Sequence, residues 1–126
     1  MKAVLDSTVL IDMLRGHARA LDFVLALQET PTCSEVTRVE ILRGLRTFER
    51  TAAERWFAKI DWVPLDESIA RRAGELGRRW RGSHRGIGAP DLIVAATAEY
   101  LGADLATHNV RHFPMFEGLR SPYGSE

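Results

Sequence analysis

Short apolar runs alternate along the chain with stretches in which hydrophobic residues recur every three or four positions. Apolar runs of this length predict strands, and the helical spacing predicts helices between them. Strands are predicted at residues 2–5, 32–36, 62–65 and 103–107. Helices are predicted after Ser7, at 17–28, 37–48 and 52–60, from Asp66 to Trp80, and from Pro90 onward.

The two helices nearest the C-terminus have the clearest signals. Pro90 stands in the favoured first turn of the last helix, and residues 92–98 are almost all apolar, so that helix is predicted to be buried. Asp66 is the predicted N-cap of the preceding helix. The apolar residues of that helix are separated by four, three and four positions on one face: Ile69, Ala73, Leu76 and Trp80.

Strands separated by helical segments predict an α/β fold, with an open parallel sheet covered by helices on both faces. Residues 1–126 contain no linker, repeat or low-complexity stretch that would divide them, so a single domain is expected. Ligands of such sheets bind beyond the carboxyl ends of the strands. Candidate functional residues are therefore sought at those ends.

Composition limits the kinds of function. The 126 residues are 45% hydrophobic and include 17 basic and 17 acidic side chains, so the formal net charge is zero. Without a global positive field, any binding of nucleic acid must be local. The single cysteine, Cys33, excludes an intrachain disulfide and is expected to be a small apolar strand residue. No signal-peptide pattern or membrane-length apolar run is present, so a cytoplasmic location is expected.

Three acidic residues fall near strand ends or helix starts. Asp6 follows the first strand, Glu40 lies beyond the second, and Asp91 opens the buried helix. In a parallel sheet these distant carboxylates can converge. Clustered carboxylates raise one another's pKa unless a cation compensates them. Hard oxygen ligands without cysteine favour Mg²⁺ or Mn²⁺ over zinc, and such an ion can polarise a phosphodiester and activate water.

Each acidic residue also has an ordinary structural interpretation. Asp6 can cap the helix that begins near Ser7, and the charge of Asp91 can simply favour a helix N-terminus. Glu40 differs, because a glutamate flanked by apolar residues gains little as a solvated helix residue. The residues alone leave both interpretations open for Asp6 and Asp91.

Four segments resemble, in order, the motifs of PIN-domain toxins of the VapC type. Val4 to Asp12 resembles the opening motif, an aspartate after the first strand followed by serine and threonine. Thr37 to Gly44 resembles the central motif, in which glycine follows the glutamate by four residues. Pro90 to Ala98 resembles the third acidic motif, and Leu105 to Phe113 the last. One motif would be weak, but four in register over nearly the whole chain are specific.

The resemblance implies a three-layer α/β/α sandwich with a central parallel sheet of four to five strands. It also implies a homodimer, Mg²⁺-dependent endoribonuclease activity with an RNA substrate, and inhibition by a VapB-like antitoxin whose tail enters the active site. Mn²⁺ is a possible substitute for Mg²⁺. Carried over by position, Asp6 and Asp91 become metal ligands. Glu40 becomes a third acidic member that binds the metal directly or through water.

The chain departs from the family pattern at Asn109, where many PIN domains have a fourth aspartate. An amide oxygen can still ligate a metal or orient water, but it adds no charge. Asn109 therefore stays in the predicted catalytic set, while a stable second metal site is in doubt. The hydroxyls of Thr8 and Thr107 can support the carboxylates or a water, and ordinary turn or cap bonding is the alternative.

The basic and aromatic residues carry weaker signals. A basic region precedes Asp91, and Arg85 is its first candidate for RNA contact, although a solvated helix face is the favoured interpretation. A metal site formed by His108 and His112 is not favoured, because the segment between them does not predict a regular helix. Packing is favoured over base stacking for the three tryptophans. The basic region comprises Arg71, Arg72, Arg78, Arg79, Arg81, His84 and Arg85, and the tryptophans are Trp56, Trp62 and Trp80.

Two other functions remain open. One is a catalytically silent interaction module with a degenerate acidic cluster, which Asn109 favours. The other is a phosphatase with Asp6 as its nucleophile. The phosphatase is less favoured, because no second aspartate stands two residues after Asp6 and no downstream lysine is available to hold a phosphate.

Overall fold

The structure is a computed structural model that describes residues 2–83 and 86–124. Its four strands are β1 (Ala3–Leu5), β2 (Thr32–Ser34), β3 (Asp61–Val63) and β4 (Asp104–Ala106). Its six α-helices are α1 (Ser7–Leu14), α2 (Ala18–Ala26), α3 (Glu35–Gly44), α4 (Arg50–Phe57), α5 (Glu67–Trp80) and α6 (Ala89–Leu101). Short 3₁₀ turns occupy Thr47–Glu49 and Val110–His112.

The four strands form one parallel sheet in the order β3-β2-β1-β4. Val4 in the central strand β1 pairs with Thr32 on one side and with Leu105 on the other. The predicted open parallel sheet is therefore confirmed, and it has the lower of the two predicted strand numbers within the described residues. Because all strands run the same way, their carboxyl ends share one edge.

Helices cover both faces of the sheet. Leu5 and Ala106 face one hydrophobic cluster, which includes buried residues of α1, α2 and α4. Val4 and Leu105 face a second cluster, built largely from α5 and α6. Because successive strand residues point to opposite faces, the short strands bury apolar side chains on both sides. The predicted three-layer α/β/α sandwich is confirmed.

Several predicted boundaries were wrong by a few residues. The second strand ends at Ser34 rather than at residue 36, because the Ser34 hydroxyl accepts a hydrogen bond from the Val36 N–H (3.2 Å) and caps α3. The third strand ends at Val63, since Pro64 cannot donate to the ladder. The helix predicted to reach Phe48 ends at Gly44 instead and is followed by a separate 3₁₀ turn.

The packing of α5 against α6 follows the sequence signals. Asp66 Oδ1 accepts a hydrogen bond from the Ile69 N–H (2.9 Å), which confirms the predicted N-cap. Residues 94–98 of α6 are buried, as predicted. A Cβ added to Gly77 on α5 would lie 2.8 Å from Leu92 Cδ1 on α6, so the absence of a side chain there permits the close approach.

Individual side chains confirm further predictions. Cys33 is fully buried on β2, and burial raises the pKa of its thiol well above the ordinary value. Trp56 and Trp62 pack against the hydrophobic cluster on the α1 side of the sheet.

Among residues 2–83 and 86–124, no helix combines the length and apolar character that crossing a bilayer requires.

Candidate active site

Asp6 lies where β1 meets α1, and its carboxylate is not used as a helix cap. It occupies the N-cap position of α1, yet its side chain makes no capping hydrogen bond. Instead, Asp6 Oδ2 accepts hydrogen bonds from Thr107 Oγ1 (2.7 Å) and Thr8 Oγ1 (3.2 Å). Asp6 is only 1% exposed, and its other oxygen, Oδ1, is buried without a hydrogen-bond partner in the part of the chain described.

The loop after β4 wraps around this carboxylate. The His108 N–H donates to Thr8 Oγ1 (3.1 Å), and the Asn109 N–H donates to Thr107 Oγ1 (2.9 Å). Thr107 itself is fully buried. Both hydroxyls that contact Asp6 are therefore also held by backbone donors of residues 108 and 109, which fixes the direction in which the carboxylate points.

Asp91 stands in the first turn of α6, but the N-cap of that helix is Gly88. Asp91 Oδ2 lies 2.8 Å from His112 Nδ1. Because an ionised carboxylate only accepts hydrogen bonds, Nδ1 must carry the proton in this contact. His112 belongs to the Val110–His112 turn, and the adjoining Phe113, which is 1% exposed, anchors that turn in the core.

Glu40 reaches the site from α3. It lies six residues after the end of β2, within the helix that the sequence predicted to include it. The helix α3 packs against both α1 and α6, which carry the other two acids. The Ser7 hydroxyl hydrogen-bonds the Glu40 side chain, whereas Glu40 Oε1 is buried with no partner among the described residues.

The three carboxylates affect one another electrostatically. Burial raises the pKa of Glu40, and the nearby charges of Asp6 and Asp91 raise it further. Burial also raises the pKa of Asp91, followed by the charge of Asp6, while the hydrogen bond from His112 acts in the opposite direction. The site therefore holds more negative charge than its own hydrogen bonds compensate.

The donor set fits a hard divalent cation. Asp6 Oδ1 and Glu40 Oε1 are carboxylate oxygens that are buried and have no hydrogen-bond partner within the described ranges, and leaving such atoms unsatisfied costs free energy. Within residues 2–83 and 86–124, no three Asp, Glu, His or Cys side chains converge closely enough to hold a metal together. Mg²⁺ commonly binds through one or two carboxylates and keeps several waters. The arrangement thus fits an ion held directly by fewer than three side chains.

Comparison with known proteins agrees with this geometry. A family model described as the PIN domain matches residues 3–115, which include every acid of the site. The chain belongs to the PIN-domain family.

Its relatives place this PIN domain in the VapC group. Ribonuclease VapC19 of Mycobacterium tuberculosis is 45% identical over 123 residues, which are 95% of this chain and 98% of that protein. Ribonuclease VapC10 of the same organism is 45% identical over 122 residues, covering 95% and 92%.

The solved structures similar to this PIN domain have the same fold. A toxin-antitoxin complex from Klebsiella pneumoniae contains a chain that superposes with a TM-score of 0.82, covering 96% of this chain and 98% of that one. The two sequences are only 24% identical, so this likeness concerns the fold.

Some predicted residues of the PIN domain have no described side-chain contact with the three acids, or lie outside the described ranges. Asn109 is exposed, and its described contacts in the site are made by its backbone: its N–H donates to Thr107 Oγ1, and its carbonyl accepts from the His112 N–H. Arg71 and Arg72 form ion pairs on an exposed helix face with Glu67 and Glu99, as the solvated-face interpretation predicts. Arg85 and His84 lie outside the described residues.

Two residues of the site, Ser7 and His112, were missed by sequence reasoning. His112 was considered only as half of a histidine pair with His108, whereas each histidine contacts a different aspartate. Its spacing from Asp91, 21 positions, carries no helical or strand signal. The next residue, Phe113, packs in the same buried cluster as α6 and helps to hold His112 beside the carboxylate.

A separate cleft lies elsewhere in the PIN domain. It has a volume of about 600 Å³ and lies between α2, β4 and the C-terminal segment. None of the three acids lines it. The candidate site at the acids is therefore separate from this cleft.

Proposed function

We propose that this chain is a divalent-metal-dependent endoribonuclease and the toxin of a VapBC-type toxin–antitoxin pair. Asp6 and Asp91 are the proposed metal ligands, and Glu40 is a third acidic member that acts directly or through water. Mg²⁺ is the expected ion, with Mn²⁺ as a substitute. The proposal is supported by the ribonuclease names of two relatives that are each 45% identical to this chain.

One observation carries the proposal: Asp6 Oδ1 and Glu40 Oε1 are buried and have no hydrogen-bond partner among the residues that the structure describes, and they lie beside a third acid whose pKa is raised by its surroundings. A carboxylate that serves only the fold would be expected to have its oxygens hydrogen-bonded. The free oxygens and the accumulated charge are both explained by a cation at this edge of the sheet.

The side chains of the proposed site have different roles. Thr8 and Thr107 hold Asp6 Oδ2 and thereby leave Oδ1 free to face a cation. His112 holds Asp91 Oδ2 in the same way and leaves the other oxygen of that carboxylate available. Ser7 orients Glu40, and the Glu40 carboxylate can accept a proton from an attacking water. A bound divalent cation supplies Lewis-acid polarisation and charge neutralisation at the phosphodiester.

The raised pKa of Glu40 suits it to proton transfer. A general base works best when its pKa lies near the operating pH, and burial together with two neighbouring acids moves Glu40 in that direction. Asn109 adds no fourth charge to the set. We therefore propose that a second ion, where one is used, enters with the negatively charged substrate.

The decisive experiment uses antitoxin-free protein and structured RNA, with Mg²⁺ or with EDTA. The wild type is expected to cleave RNA only with the metal. Asp6→Asn and Asp91→Asn are expected to lower the cleavage rate at least about 100-fold, a change that corresponds to ~2.7 kcal/mol of transition-state stabilisation. Asp104→Asn is the matched control, because Asp104 is an exposed aspartate at the opposite end of a strand from the acids.

Three results would contradict the nuclease. Equal cleavage by the wild type and both site variants would identify a contaminating nuclease. No cleavage of transfer, ribosomal or messenger RNA by folded wild type in Mg²⁺ or Mn²⁺ would favour the catalytically silent module. An aspartyl-phosphate on Asp6 after incubation with a phosphomonoester would instead indicate the phosphatase.

The proposed partners follow from the VapC group. A toxin-antitoxin complex among the similar folds supports a VapB-like antitoxin as partner. A cytoplasmic site of action remains a prediction. Exposed apolar side chains on α3 and in the 3₁₀ turn that follows it, Val39 (61% exposed), Leu42 (40%) and Phe48 (77%), provide surface near Glu40 for such a contact. A homodimer and a single domain over residues 1–126 remain predictions, and the molar mass of the purified chain in solution tests the first.

A further inference from the structure

The C-terminal tail crosses from one face of the sheet to the other. Met115, Phe116 and Leu119 pack against the hydrophobic cluster formed by α5 and α6. Tyr123, a few residues later, packs against the cluster on the opposite side, which includes α1 and α2. Because β4 is an edge strand, the tail passes that open edge and ends beside α1.

Tyr123 makes four contacts at the end of this path. Its hydroxyl donates a hydrogen bond to Asp12 Oδ2 on α1 (2.8 Å), although 111 residues separate the two. Its ring lies edge-on to His108, with 4.6 Å between ring centroids. It also contacts His17 (5.5 Å) and Phe23 (5.9 Å). Burial raises the pKa of Tyr123 and the contact with Asp12 raises it further, so the hydroxyl stays protonated and remains a donor.

The second residue that Tyr123 contacts, His108, is the middle of the loop that holds Asp6. Its neighbour Thr107 donates to Asp6, and its own N–H donates to Thr8, the other hydroxyl on Asp6. His108 Nε2 lies 3.3 Å from Asp12 Oδ2 outside hydrogen-bonding geometry. The ring of His108 is thus enclosed between α1 and Tyr123.

We propose that Tyr123 is a positioning residue for the active site. Its ring holds His108 against Asp12, and this contact fixes the loop of residues 107–109. The Thr107 hydroxyl and the backbone N–H groups of the loop in turn fix the direction of the Asp6 carboxylate. The tail then helps to position the catalytic groups, although none of its residues touches the substrate. This inference rests on the proposed nuclease function, since it assigns Tyr123 a role at that site.

The test compares Tyr123→Ala, Tyr123→Phe and the matched control Tyr100→Phe, because Tyr100 is 64% exposed near the far end of α6. Tyr123→Ala is expected to lower kcat for RNA cleavage by about 10- to 100-fold with KM changed by less than about threefold, since misplaced catalytic groups slow the chemical step. The same variant is expected to weaken Mn²⁺ binding by about tenfold, the usual scale for losing support around a metal ligand.

The conservative variants keep the test valid if Tyr123→Ala folds poorly. Tyr123→Phe retains the ring on His108 and loses only the hydroxyl, so its kcat and Mn²⁺ affinity are expected to lie between those of the wild type and Tyr123→Ala. Asp12→Asn retains an acceptor for Tyr123 and is expected to preserve more activity than Asp12→Ala. Circular dichroism and thermal unfolding establish that each variant is folded at the assay temperature.

The outcomes separate this inference from the proposed function. If the wild type cleaves RNA with metal but folded Tyr123→Ala and Tyr123→Phe match it in kcat and Mn²⁺ affinity, the clamp is refuted and the nuclease stands. A uniform rise in KM at constant kcat would also refute the clamp, because it would indicate direct substrate contact. A wild type without metal-dependent cleavage would remove the proposed function and the inference together.

Discussion

Asp6 occupies the N-cap position of α1, but its side chain does not cap the helix. The N-cap position of a helix favours aspartate because the carboxylate can accept backbone N–H groups. Here the carboxylate accepts two threonine hydroxyls instead, and it keeps one buried oxygen free of any partner that the described residues offer. Its position in the sequence fits a cap, but its contacts fit a metal ligand whose second oxygen is held for another purpose.

The contact between His112 and Asp91 predicts different effects for two amide substitutions. Asparagine places an amide nitrogen where His112 Nδ1 stands, whereas the amide of glutamine lies one bond farther along. His112→Asn is therefore expected to keep Mn²⁺ affinity within about threefold of the wild type, while His112→Gln and His112→Ala lose about tenfold. Isothermal titration with Mn²⁺ measures the difference. Equal affinities for all three variants would show that the contact does not orient Asp91.

The raised pKa values of Glu40 and Asp91 predict how metal binding depends on pH. Burial and neighbouring acids make both groups hold protons at a higher pH than usual, and a proton competes with the cation for the same oxygens. Mn²⁺ affinity is expected to fall as pH is lowered from about 8 to about 5, with a limiting slope of about tenfold per pH unit for each carboxyl involved. An affinity independent of pH over that range would contradict the assignment.

Lowering the pH is expected to weaken metal binding but to stabilise the metal-free protein. A carboxyl with a raised pKa binds protons more tightly in the folded than in the unfolded chain. Its contribution to stability is therefore present below its unfolded pKa and is lost as pH rises through its folded pKa. At neutral pH the acids oppose folding of the metal-free protein, and a bound cation offsets that cost.

At the scale of elements, the helix α5 illustrates what local sequence determines. Asp66 and the four apolar residues on one helix face were sufficient to predict where this helix begins and which side it buries. Both signals act within a few residues, so no knowledge of the rest of the chain was needed. The same holds for Pro90, which stands in the first turn of α6 as predicted.

Asp66→Ala removes that cap and tests it separately from the active site. Loss of the bond to the Ile69 N–H is expected to lower the free energy of unfolding by about 1 kcal/mol. For a chain of this size the melting temperature would fall by about 3–5 °C. Thermal unfolding measures the change, and RNA cleavage below the transition is expected to stay at the wild-type rate. A loss of cleavage by the folded variant would indicate that α5 influences the acids.

The elements around the site were harder to predict, because their boundaries depend on contacts made elsewhere. Val36 is β-branched, which favours a strand, yet the Ser34 hydroxyl begins α3 two residues earlier. The position of Glu40 on that helix depends on this start. Helix ends and strand ends are decided by single hydrogen bonds, which a hydrophobic pattern does not reveal.

At the scale of the whole molecule, the parallel sheet explains why distant acids converge. Asp6 and the loop of Thr107 follow the adjacent strands β1 and β4, so they meet at one edge. The fold class and this edge follow from the order of strands and helices along the chain. Contacts such as those of His112 and Tyr123 do not, since they join segments 21 and 111 residues apart and no local signal specifies them.

The central claim is that Asp6, Glu40 and Asp91 form a site for one divalent cation, and Mn²⁺ titration of the purified chain tests it most directly. The account predicts saturable binding of Mn²⁺ to the wild type and to Asp104→Asn, with affinity at least about tenfold weaker in Asp6→Asn and in Asp91→Asn. Equal affinities in all four proteins, or no binding to the folded wild type at neutral pH, would contradict it.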